Sequence, residues 1–133
     1  MSLTQDERNA IVQFNLDKAN EALAEIPVLL ENKFYRNAAN RLYFACFYAV
    51  TALLIKDKYE AHTHTGVKTL LSLHYVNENK IEKSFGKVYG NLFNMRQKGD
   101  YEDYFFIDEE DITPMIDPAK QFITKIENLI NNK

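Results

Sequence analysis

The sequence predicts an all-α fold, an up-and-down bundle of four long helices with one additional short helix. Three observations predict it. Every apolar periodicity along the chain advances by three or four residues, and none alternates by two. Only four Gly and three Pro punctuate 133 residues, too few for a turn-rich sandwich or barrel. The polar connections are short, as between antiparallel neighbours. One domain over residues 1–133 is expected at this length, with nine Phe and eight Tyr to fill a single core.

Each element has its own signal. Thr4-Gln5-Asp6-Glu7 reads as a capping box, and Val12, Leu16, Ala19, Leu23 and Ile26 follow at helical spacing. Pro27 removes a backbone donor and is expected to kink or end this helix near residue 26. The second helix runs from about Asn32 to Lys56 without Gly or Pro; its stretch LYFACFYAVTALLI is apolar all round, as in a helix surrounded by others. A polar stretch from Lys56 to Gly66 leads to a shorter third helix over about Val67–Val76, followed by a turn at Asn77–Asn79. Ile81, Phe85, Val88, Leu92 and Met95 form the seam of a fourth helix, with Gly99 as its stop. The last helix starts at Asp108, whose neighbouring acids suit a helix dipole, bends at Pro114 and Pro118, and continues to about Asn131.

Composition excludes several classes. A single cysteine, Cys46, cannot form an internal disulfide and reads as a small core residue. The opening MSLTQDERNA lacks the pattern of a secretory signal, and the longest apolar run, Leu42–Ile55, is too short to span a membrane. A cytoplasmic protein without a membrane segment is the expectation. The net charge of −3 gives no bulk attraction to nucleic acid. Its distribution is uneven: residues 61–99 carry six Lys or Arg against two acids, whereas residues 100–111 carry seven acids and no base. Lys80, Lys83 and Lys87 read as one solvated helical face, and Gly86 and Gly90 as sites of close helix approach. No P-loop, Rossmann or nucleophile-elbow motif is present. His62, His64 and His74 lack the partners and spacing of a metal site, and none has a Glu three residues before it, so neither metal nor cofactor is expected.

Four segments, FYRNAANRLYFACFYAVTALL, HTGVKTLLSLHYV, GKVYGNLFNMRQKGDY and PAKQFITKIENLI, follow one another across residues 10–131. In this order and spacing the chain resembles the HEPN domain family of prokaryotes. The resemblance implies a compact helical bundle that pairs as a homodimer. It also implies a chain often encoded beside a small nucleotidyltransferase, as a toxin–antitoxin pair. Catalytic members of the family are metal-independent ribonucleases in which an Arg is followed, a few residues later, by His.

The matching run here is Arg96-Gln97-Lys98-Gly99-Asp100-Tyr101, with Tyr101 where the His would stand. This R-x-x-x-D-Y form is similar to a branch of the family with an altered ribonuclease motif. Cleavage of RNA without a metal activates a ribose 2′-OH, which suits a group titrating near neutrality better than an unperturbed Tyr. The resemblance therefore implies a binding and dimerisation module, one half of a HEPN–nucleotidyltransferase system, that holds nucleotide or RNA phosphate in a polar cleft. The alternatives are a ribonuclease with an atypical site and a nucleotide-sensing domain. Arg96, Asp100 and Tyr101 are the catalytic candidates, and Arg96, Arg41, Asn37 and His64 the phosphate-binding ones. Arg41 or Arg96 is expected to pair with Asp100. Tyr104 and Tyr101 are candidates for adenylylation by the partner.

Overall fold

The computed structural model describes residues 2–101 and 106–132, with Asp100 and Tyr101 described for the backbone alone. Five α-helices follow in order: α1 (Gln5–Glu31), α2 (Tyr35–Lys56), α3 (His64–Leu71), α4 (Lys83–Tyr101) and α5 (Glu109–Asn131). There is no strand among the described residues. The architecture is the expected all-α bundle of four long helices and one short one.

The capping box at Thr4 is formed, with the Glu7 N–H donating to Thr4 Oγ1 at 3.1 Å and the Thr4 N–H to Glu7 Oε1 at 2.8 Å. Pro27 neither ends α1 nor holds it short, because the helix continues to Glu31. The proline ring is exposed, and Leu29 and Leu30 beyond it pack against the core. Burial of that last turn offsets the missing hydrogen bond. α2 begins at Tyr35, three residues later than the periodicity predicts, because Lys33 takes a left-handed conformation (φ 60°) and reverses the chain.

α2 is the axis of the molecule, packed by α1, α3, α4 and α5. Five of its buried positions are alanines (Ala38, Ala39, Ala45, Ala49 and Ala52), which let the neighbouring helices approach closely. Its length and apolarity would suit a membrane span by composition, but eleven of its residues are buried inside the bundle. Cys46 is among them, with no exposed surface, and burial pushes its thiol far above the ordinary range.

α3 starts three residues earlier than expected. Thr63 caps it, its Oγ1 accepting from the Gly66 N–H at 2.9 Å. The segment expected as the rest of this helix, Ser72–Val76, is a π-helical turn. α4 passes through Gly99 to Tyr101, so that glycine is not a stop. Lys80 precedes α4 and sits over the Tyr75 ring, so the three lysines do not form one helical face. Gly86 lets α4 lie against Val76, whose Cγ2 would stand 3.3 Å from an added Cβ. In α5 the Asp108 cap forms a box with Asp111, and both prolines lie inside one continuous helix. Pro114 is exposed, while Ile112, Ala119, Phe122 and Ile123 on the opposite stripe are buried. That apolar stripe carries the helix through the two missing donors.

Candidate functional site

α2 enters the bundle at Tyr35, Arg36 and Asn37. Its preceding residue, Phe34, makes no side-chain capping bond, and its first turn holds no acid. No carboxylate comes from this turn itself, and one from outside it, that of Glu109 of α5, accepts from the Tyr35 hydroxyl at 3.1 Å. The C-terminal part of α4 lies beside it. Between them is a recess of about 110 Å³, lined by Arg36, Asn37, Asn40, Arg96, Gly99 and Ile107 among others. Two guanidinium groups and two carboxamides thus border one space, a donor-rich setting for phosphate oxygens.

Aromatic rings prop the arginines. Arg96 lies one turn beyond the buried Leu92, and its guanidinium carbon stands 5.2 Å from the Phe44 centroid and 5.5 Å from that of Tyr43. Arg41 also stands 5.2 Å from the Phe44 centroid. Its Nη1 reaches Glu25 Oε2 at 3.6 Å, and its Nη2 donates to Asn40 Oδ1 at 3.3 Å. Arg41 opens into a second space, a groove of about 530 Å³ between α1 and α2 bordered by Glu25, Val28, Leu29, Asn37 and Asn40. The two asparagines face both spaces. Val28 and Phe34, more than half exposed, and Phe106, 78% exposed, leave apolar surface around them.

Tyr43 has no exposed surface, so its hydroxyl needs a partner inside the bundle. His64, the first residue of α3, supplies one, with Nδ1 2.7 Å from the Tyr43 oxygen. The half-buried imidazole stacks on Phe47 with centroids 4.4 Å apart and planes at 28°. It lies 5.7 Å, centroid to centroid, from Tyr43 and from Phe44. Burial raises the Tyr43 phenol above its ordinary range, against the pull of the Tyr89 hydroxyl and the Arg96 charge, so it is protonated at neutral pH.

Arg96 and Asn37 thus meet in the recess, with Arg41 in the adjoining groove and His64 behind Tyr43. His64 does not line the recess. Arg41 pairs with Glu25, and the expected pairing of Arg41 or Arg96 with Asp100 involves a side chain outside the described residues. The side chains of Asp100 and Tyr101, and all of Tyr104, lie outside the described residues, while the backbone at residues 100 and 101 continues α4. His62 is exposed on the loop, and His74 stacks on Tyr59 at 4.0 Å and 8°. Among the described residues, no group of three His, Cys, Asp or Glu lies together as metal ligands would. Arg36 was missed by sequence reasoning; its position in the first turn of an uncapped helix is the signal that marks it. Tyr43, Phe44 and Phe47 were taken only as core, and nothing in a uniformly apolar run singles them out.

The HEPN domain model matches residues 12–129. The chain belongs to the HEPN domain family. Two relatives match over nearly their full lengths. A UPF0332 protein of Thermotoga maritima is 33% identical over 127 residues, covering 96% of this HEPN chain and 96% of the relative. A protein of Methanocaldococcus jannaschii named as a candidate toxin is 34% identical over 128 residues, covering 96% and 94%. A second protein of that organism, also named as a candidate toxin, is 25% identical over 118 residues, covering 89% of this HEPN domain chain and 80% of the relative.

Proposed function

We propose that this HEPN domain is the toxin component of a two-gene system with a nucleotidyltransferase, and that it binds RNA phosphate between α2 and α4 as a homodimer. The observation that carries the reading is the recess in which Arg36, Arg96, Asn37 and Asn40 converge at an uncapped helix start. A bidentate arginine meets two phosphate oxygens, and amide donors take the remaining lone pairs. The toxin assignment draws on the names of the two Methanocaldococcus jannaschii relatives. The paired form and the nucleotidyltransferase draw on the family, and the exposed Val28 and Phe34 supply apolar surface beside the recess for a second subunit. Adenylylation at Tyr101 or Tyr104 belongs to the same reading, and intact mass after incubation with the neighbouring nucleotidyltransferase and ATP reads it out.

The test is retention of a labelled single-stranded RNA by wild type, Arg36→Ala and Arg96→Ala. Loss of one charge-assisted phosphate contact costs about 1.5–3 kcal/mol, so each variant is expected to bind roughly tenfold or more weakly. Equal binding by all three proteins would overturn the reading. A metal-independent ribonuclease is the second reading, favoured by Arg96, which stands at the position of the family arginine and opens into the recess. Cutting of the bound RNA in EDTA separates it from binding alone.

A further inference from the structure

The groove between α1 and α2 is a separate space from the recess, yet Asn37 and Asn40 line both. Spaces that share two residues are neighbours, as the base and the phosphate of one nucleotide are. Its volume of about 530 Å³ is that of a small-molecule site, and Ala24 and Leu29 give it an apolar wall. Its polar groups are sorted by side. α1 brings one carboxylate, Glu25, and α2 brings donors, the Arg41 guanidinium and the two carboxamides. Asn40 Oδ1 already accepts from Arg41 Nη2 at 3.3 Å, so what Asn40 has left to offer is its N–H donors. Arg41 is held against the Phe44 ring, and its guanidinium has more donors than its contacts with Asn40 and Glu25 use. The pair with Glu25 is long, 3.6 Å, and joins an exposed acid to a half-buried arginine, so it yields readily to a better-matched ligand.

We infer that this groove takes a guanine base, that of the nucleotide whose phosphate lies in the recess. The inference rests on the reading that the recess holds RNA phosphate. Guanine alone among the RNA bases carries two adjacent donors on one edge, N1–H and the N2 amine, and two adjacent acceptors on another, O6 and N7. The donors match the two carboxylate oxygens of Glu25, in charge-assisted bonds. The acceptors match a bidentate arginine, Arg41, with the Asn37 and Asn40 carboxamides as further donors toward O6. Adenine sets an amine against these donors where guanine has O6, and it offers Glu25 no N1–H. Uracil and cytosine each present a single donor group and lack the O6–N7 pair. The apolar wall takes the face of the ring. On this arrangement the recess holds any nucleotide by its phosphate, and the groove decides which one is held best.

The experiment measures the affinity of wild type, Glu25→Gln and Arg41→Ala for labelled oligouridines carrying one central guanosine, adenosine, inosine or 7-deazaguanosine. Circular dichroism melts check that each variant is folded. Wild type is expected to bind the guanosine RNA about tenfold more tightly than the adenosine RNA. Inosine lacks the N2 amine and 7-deazaguanosine lacks N7, so each is expected to bind wild type several-fold more weakly than guanosine. Glu25→Gln removes the difference between guanosine and inosine, and Arg41→Ala that between guanosine and 7-deazaguanosine. Equal wild-type affinity for the guanosine and adenosine RNAs would overturn the guanine subsite, and the phosphate reading then stands if Arg36→Ala and Arg96→Ala still weaken both. A Glu25→Gln protein that binds every RNA more weakly by one factor, with discrimination against inosine intact, marks a structural role and also overturns it. Free GMP, set against IMP and AMP by calorimetry, is the second arm. GMP bound selectively with no RNA retained supports the guanine subsite, assigns it to a free nucleotide and overturns the RNA reading. Neither RNA nor GMP bound overturns both.

Discussion

Phe44 carries two cations on one ring, with the Arg41 and Arg96 guanidinium carbons both 5.2 Å from its centroid. Like charges gathered this closely are tolerated because the π-face attracts each of them and Glu25 neutralises one. The stack also limits the freedom of both side chains, so less entropy remains to be lost when an anion arrives. Tyrosines set the behaviour of the molecule in base. Tyr89 has no exposed surface, and burial, with Tyr43 beside it, raises its phenol far above the ordinary range. Tyr75 is 2% exposed, and burial followed by its hydrogen bond to Asp57 (2.5 Å) raises it likewise. A phenol raised in the folded state contributes its full stability below the unfolded value of about pH 10. It loses that contribution as the pH climbs toward the folded value, by about 1.4 kcal/mol per pH unit for each group. In a tyrosinate absorbance titration, Tyr75 and Tyr89 are therefore expected to ionise only with loss of helical circular dichroism. One smooth titration of all eight tyrosines on a folded chain would contradict this.

At the scale of elements, the seams of α1, α4 and α5 are legible because each buries one stripe at helical spacing. Their ends are legible only where a side chain does the capping. Thr4 and Asp108 announce α1 and α5, since an oxygen acceptor followed three residues later by an acid has few other uses. The C-terminal ends are hidden, because the chain reverses at Lys33, Lys58 and Asn79 in a left-handed conformation that ordinarily favours glycine. After α2, the Tyr59 N–H bonds to the Leu54 carbonyl at 2.9 Å and the Lys58 N–H to the Ile55 carbonyl at 3.1 Å, closing the helix around that strained lysine. Lys58→Gly is expected to raise stability by about 1 kcal/mol, read as a higher midpoint in urea. An unchanged or lower midpoint would mean the lysine's own contacts outweigh the strain. The prolines mislead in the opposite way. Pro27 and Pro114 read as breaks, yet both sit at exposed positions of helices whose other faces are buried.

For the whole molecule, net charge conceals the site. A chain at −3 gives no sign of attracting a polyanion, and the arginines that could do so lie sixty residues apart in sequence. Only the packing of α4 against α2 brings Arg36 and Arg96 to one recess, a relation no local pattern encodes. Arg96 and Asn37 were legible through motif resemblance; Arg36 and the Tyr43–His64 contact depend on tertiary placement. A site of two arginines makes few phosphate contacts, so affinity for single-stranded RNA is expected to fall with salt at a log–log slope of only about −1.4. Removing Arg36 or Arg96 is expected to lower that slope by about 0.7 each. A much steeper wild-type slope would place most of the binding on other cations, such as the exposed Lys83 and Lys87.

The division of the recess between two distant helices also has a consequence during synthesis. Arg36 leaves the ribosome early, in a helix end that holds no partner for it yet. Arg96 follows only when most of the chain has been made, and the space between them closes only once α4 has docked on α2. A nascent or prematurely terminated chain that stops short of α4 therefore has no recess to offer an RNA. The recess itself therefore exists only after translation has passed the fourth helix.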